Sequence, residues 1–187
     1  MTRNSYVLLG VLFLVMTIYF TAFAPCYFRT SLGDELFLDR ETVSKEDVYN
    51  ASVVISEEMK KLEGNIVFDH TGKTLMPYSY STLVEKMNDA YDSLTEKYAF
   101  VSDFYSYPKP LAISGIMPYT RISGFYTFFS GEANVSTAYP DFMLPFTVAH
   151  EMAHQRGIAR EDEANFLAFL VCLESNDDYI KYSGYAE

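Results

Sequence analysis

Tryptophan is absent from this chain, and histidine, cysteine and positive charge are scarce. Its 187 residues hold three histidines, two cysteines and 14 Lys and Arg against 25 Asp and Glu, a formal net charge of -11. The charge balance argues against a nucleic-acid partner, because an acidic surface repels phosphate. Cys26 and Cys172 stand far apart, one closing an apolar run and one inside an expected helix, and neither belongs to a C-x-x-C pair. No cysteine zinc site or disulfide framework is therefore implied. Internal repeats, low-complexity tracts and a second-domain boundary are also missing, so the length suits one domain plus an appendage. The lack of Trp beside 16 Tyr and 15 Phe carries no functional reading.

Charge is missing locally as well. From Tyr6 to Phe28 no residue is ionised at neutral pH, and a helix of that length crosses about 30 Å of hydrocarbon. We read residues 1–30 as a membrane anchor and 31–187 as the domain it carries. Ala22-Phe23-Ala24 resembles a signal-peptidase site, but Pro25 follows it directly and the run exceeds an ordinary signal core. Arg3 precedes the segment, and Arg29 and Arg40 follow it among Asp34, Glu35, Asp39 and Glu41. The positive-inside rule thus sets orientation only weakly.

What is present is concentrated late in the chain. His150-Glu151-Met152-Ala153-His154 places two of the three histidines four residues apart, hence on one face of a helix. This is the H-E-x-x-H zinc signature, in which one helical turn separates two nitrogens by a span that one metal bridges. Glu151 would then serve as base beside a metal-bound water. Pro145 near the start and Gly157 past the end bound the expected helix. Chance occurrence of the five residues on an amphipathic helix is the plain alternative.

A catalytic zinc usually takes three protein ligands. The spacing that would supply a third histidine after Gly157 falls on Arg160, which cannot bind zinc. Glu161 comes next and opens an apolar run, Ala164 and Phe166 to Val171, that reads as a buried helix. Glu161 and Glu163 compete for the third position, and being two apart on a helix they face different ways.

Glu161-x-x-Ala164-Asn165 resembles the second-helix motif of gluzincin-type zinc peptidases, which implies Glu161 as third ligand and Asn165 as the residue steadying a ligand histidine. With Ser130-Gly131-Glu132-Ala133-Asn134-Val135 and Leu144-Pro145-Phe146-Thr147 through Gly157, the stretch resembles the bacterial domain-of-unknown-function 3810 family, strongly over about 121–185 and more loosely over 25–120. The resemblance implies a membrane-anchored, zinc-peptidase-like protein with an extracytoplasmic domain. It also implies a chain short at both ends, since members carry more membrane helices and a longer C-terminal part.

Elsewhere, Ser44-x-x-Asp47 predicts a capped helix to Leu62 with Val48, Ile55, Met59 and Leu62 on one stripe. A second helix is expected from Ser81 or Thr82, with Thr82-x-x-Glu85 as its cap, to about Phe100. Asp69-His70-Thr71-Gly72 reads as a turn, and His70 is a remote candidate for a fourth ligand. After the prolines 108, 110 and 118, Ile122 to Phe129 reads as a strand. Val135 is expected to begin a short second strand, and Tyr179 to Glu187 another, truncated element.

The expected fold is mainly α with a small β-sheet or hairpin, an α+β zincin-like core behind a transmembrane helix. The expected function is a zinc metallopeptidase in which His150, His154 and Glu161 hold Zn2+, Glu151 moves the proton, Asn165 supports a ligand and Glu163 is the alternative ligand. Its partners would be a peptide or protein substrate and the membrane. Tyr126, Tyr139 and Tyr182 are candidates for stabilising the oxyanion, and Gly124 to Ser130 for holding substrate along a sheet edge. The rival of another class is a non-catalytic envelope protein using the metal as a structural or sensory clamp. A metal-free helical core is the third reading.

Overall fold

The computed structural model describes residues 2–38 and 42–187. Asp39, Arg40 and Glu41, which entered the orientation reading, lie outside the described residues. The N-terminal run forms helix α1, Arg3–Ile18, and continues through a π turn and a 3-10 turn to Phe28. This 26-residue segment is long and apolar enough to cross a membrane, and its most apolar window has no residue buried in the protein.

Five longer helices and two small sheets make up most of the remainder. Helix α2, Leu32–Glu35, is a single turn, whereas α3, Lys45–Leu62, starts from the full capping box of Ser44 and Asp47. The hairpin of β1, Val67–Phe68, and β2, Thr74–Leu75, turns through His70. Then come α4, Tyr80–Lys97, the short β3, Lys109–Pro110, and the single turn α5, Met117–Thr120. Strands β4, Gly124–Thr127, and β5, Glu132–Val135, lead into α6, Met143–Gln155, α7, Glu161–Glu174, and α8, Asp178–Ala186.

Helices α6 and α7 form the centre, with α4 and α8 packed on them. Burying Val148, Ala149, Met152, Ala153, Leu167, Ala168 and Val171 between them removes apolar area from water at about 25 cal/mol per Å2. The small residues at 149, 153, 164 and 168 let the axes approach closely. Gly184 of α8 serves the same end, since a Cβ there would meet the Cβ of Cys172 at 2.6 Å. The second sheet has the order β3-β5-β4, with β5 parallel to β3 and antiparallel to β4, and it rests on α6 through β5 and β4. Strand β4 is therefore an edge, and its residues are exposed or half-buried.

Several local expectations need correction. The cap of α4 is Ser79, whose Oγ accepts from the Thr82 amide, so the helix starts before Thr82. Thr82 has no capping role because a serine three residues upstream already fills it. Val135 ends its strand, since the turn at Gly131, with φ +73°, lets pairing resume at Glu132. The stripe on α3 is only partly covered, Val48 being exposed because α8 reaches only the later part of the helix. The segment after Glu174 forms helix α8, capped by Asp177 on the Tyr179 and Ile180 amides and running to Ala186.

Candidate metal centre

Helix α6 places His150 and His154 one turn apart, with ring centroids 4.6 Å apart and planes at 89°. Gly157, at φ +82°, ends the helix by adopting a conformation that β-carbons disfavour. The chain then needs only Ile158, Ala159 and Arg160 to reach α7, whose first residue is Glu161. Three acidic residues in that first turn complement the helix N-terminus.

The consequence of this short reversal is a cluster. Glu161 Oε2 lies 3.2 Å from His150 Nε2 and Glu161 Oε1 lies 3.5 Å from His154 Nε2. All three side chains offer ligand atoms within 4.8 Å of one another. Donors about 2.0–2.1 Å from one tetrahedral ion sit roughly 3.3 Å apart, so both separations suit a shared metal.

Protonation sharpens the fit. His154 Nδ1 is 2.7 Å from the Ile158 carbonyl, an acceptor, so a neutral ring places its one N–H there and leaves Nε2 bare. That lone pair would face a carboxylate oxygen, an arrangement that a shared cation would satisfy. His150 is hydrogen-bonded by Asn165. Burial first, and the neighbouring His154 second, lower its pKa below the ordinary value, which favours the neutral, ligating form. Two imidazoles and a carboxylate match the donor set of some catalytic zinc sites.

Glu151 is buried beside this cluster and its Oε2 has no hydrogen-bond partner. Burial, assisted by the charge of Glu161, pushes its pKa up to about 8. Its position depends on Gly124 of β4, where a Cβ would come within 2.5 Å of Glu151 Oε1 and 2.9 Å of the Asn134 carbonyl. Glycine is required there because strand and helix leave no room for a side chain.

Glu163 is placed elsewhere. It is buried on the far side of the first turn, with its Oε1 3.7 Å from Arg160 Nε, and the structure brings Glu161 rather than Glu163 to the histidines. The exposed His70 lies in the β1–β2 turn, outside the cluster. Of the three tyrosines, Tyr126 lines the cleft over the cluster. The Tyr139 hydroxyl is spent 3.5 Å from the Met117 carbonyl, and Tyr182 borders a groove beside α3.

The cleft measures about 540 Å3 and contains His150, Glu151, His154, Glu161 and Asn165. Sequence reasoning missed Gly124 as the partner of Glu151 and the Ile158 carbonyl as the partner of His154. It also missed Phe23 and Tyr27, which bring the end of the N-terminal helix into the wall of the same cleft. The i,i+4 spacing of His154 and Ile158 was visible, but a backbone acceptor leaves no mark in side-chain identity. No curated protein and no solved structure matches the chain. The family model that matches covers residues 2–187, well beyond the stretch carrying the motifs, and the chain belongs to the family described as a protein of unknown function, DUF3810.

Proposed function

We propose that the protein is a membrane-anchored zinc metallopeptidase, with Zn2+ held by His150, His154 and Glu161 and the proton carried by Glu151. The observation carrying this reading is the bare Nε2 of His154 opposite a Glu161 oxygen at 3.5 Å, completed by His150 at 3.2 Å from the same carboxylate. Bound at that donor set, Zn2+ supplies Lewis-acid polarisation of a carbonyl and acidifies water.

The remaining work belongs to the chain. Glu151 takes a proton from the attacking water at its carboxylate and returns it to the leaving amine. Burial raises its pKa above the ordinary carboxylate value, which suits a group that must hold a proton between those steps. The Ile158 carbonyl and Asn165 fix the two imidazoles, as partners of ligand histidines do. Strand β4 offers a free edge to an extended peptide. The apolar N-terminal helix supports an anchor, and we assign the domain to the extracytoplasmic side on the resemblance, since Arg29 after the span opposes Arg3 before it.

Metal-free protein given zinc and analysed for elements should bind about one ion per chain. Glu151→Gln should keep that ion and lose hydrolysis of a general peptide library by roughly a hundredfold or more. A folded chain that binds no zinc overturns the reading. Retained zinc with no hydrolysis in the parent supports the clamp in its place.

A further inference from the structure

The cleft is built partly from the segment that would cross the membrane. Phe23 and Tyr27 line it together with Gly124, Phe125 and Tyr126 of β4 and with the histidines. Ring contacts tie the two: Phe23 lies 5.6 Å from Tyr126 and 6.0 Å from Phe128, and Tyr19 lies 5.1 Å from Phe128.

The junction is fixed as well. The Arg29 guanidinium donates to the Phe100 carbonyl at 3.3 Å and to the Arg156 carbonyl at 3.4 Å. Leu32 is buried in the core cluster, and a Cβ on Gly157 would sit 3.7 Å from Cys26 Sγ. No free linker separates helix from domain, so the height of the site above the bilayer is set by the helix itself.

That height follows from length. About 20 helical residues cross the hydrocarbon, and counting from Arg3 places the far boundary near Ala22. Phe23 and Tyr27 then stand at the headgroup level, where aromatic residues concentrate. In the cleft wall Ile122 and Phe125 are exposed to 44% and 39%, and at the end of the helical segment Phe28 is exposed to 89%, apolar side chains costly to leave in water.

We propose that the site takes its substrate from the membrane surface. The substrate is an extended juxtamembrane segment of a polypeptide anchored in the same bilayer, laid along the free edge of β4 within reach of His150 and Glu151. This rests on the peptidase reading for the reaction, but not for the position of the site.

The absence of tryptophan permits a direct test. Phe125→Trp in the full chain, reconstituted in phosphatidylcholine vesicles, provides a single tryptophan in the cleft wall, excited at the red edge where tyrosine does not absorb. Lipids brominated high on the acyl chain should remove most of its emission, while aqueous acrylamide removes little. Tyr49→Trp on α3, whose parent side chain is exposed, should show the opposite preference. Emission at 125 quenched by acrylamide and untouched by brominated lipid overturns the proposal even if the protein proves to be a peptidase.

The second arm fuses zinc-loaded vesicles with bacterial membrane vesicles, adds soluble casein, and maps new N-termini against a Glu151→Gln control. Cuts should fall within about ten residues of spanning segments, some 30 Å of extended chain, enriched roughly tenfold or more over casein by tethering to one surface. Equal cleavage of casein overturns the substrate assignment and leaves the peptidase intact. Absence of all cuts overturns the peptidase and the substrate with it, while quenching still reports where the site lies.

Discussion

Gly124 and Glu151 depend on each other more closely than residues 27 positions apart in sequence would suggest. With the Asn134 carbonyl 2.9 Å from the place a Cβ would take, the strand cannot retreat, so Gly124→Ala must displace the Glu151 carboxylate. A misplacement near 1 Å costs on the order of a hundredfold in rate, and kcat should fall by about that much with zinc stoichiometry unchanged. Parent-like kcat in this variant would mean that Glu151 is not the proton carrier. The third ligand is tested one helix later. Glu161→Ala should release zinc to mild chelation, since loss of a ligand weakens a site far more than loss of a neighbour. Glu163→Ala, which removes a carboxylate 3.7 Å from Arg160, should retain the ion. The reverse order, read by elemental analysis after dialysis, would move the ligand role to Glu163.

Between elements, the end of α6 is held by a buried cation. Arg156 is 4% exposed, stacks 3.8 Å from the Tyr91 ring centre and 4.5 Å from that of Phe104, and donates to the carbonyls of Ser102, Met152 and Phe104. Tyr91 in turn donates to the Ala149 carbonyl at 2.7 Å, so α4 and the loop after it are clamped to the helix carrying both histidines. Arg156→Met keeps most of the volume but removes the side-chain donor to the Ser102 and Phe104 carbonyls, leaves the Met152 carbonyl its backbone amide partner, and removes two cation–π contacts. We expect a loss of about 3 kcal/mol, measured by denaturant unfolding in detergent. An unchanged midpoint would show that these bonds are offset by the cost of burying the guanidinium.

For the whole molecule, the proposed zinc site would link metal binding to folding. His150, His154 and Glu161 come from two helices brought together by the α6–α7 packing, and an unfolded chain has no such site. Free zinc at a hundred times its dissociation constant should stabilise by about 2.7 kcal/mol, near 5–10 °C in Tm for a domain of this size. Chelation should reverse the shift in the parent and have no effect in Glu161→Ala. A Tm indifferent to both zinc and chelator would remove the metal from the folded state altogether.

Much of this was legible along the chain because the relevant signals are local. The uncharged run required a helix, the Ser44–Asp47 box opened α3, and i,i+4 spacing put His150 and His154 on one face. The resemblance of Glu161-x-x-Ala164-Asn165 to a known motif singled out one of two glutamates. What the sequence could not contain were contacts whose partners are distant or have no side chain: the Ile158 carbonyl on His154, Gly124 against Glu151, and Ser79 displacing Thr82 as a cap. Least of all could it place Phe23 and Tyr27 in the wall of the cleft. Hydropathy made that segment a span and nothing more, because periodicity reports which face of an element is apolar but not what covers it. Only the docking of Arg29 and Leu32 onto the domain decided that the apolar N-terminal helix and the cluster of His150, His154 and Glu161 share one cavity.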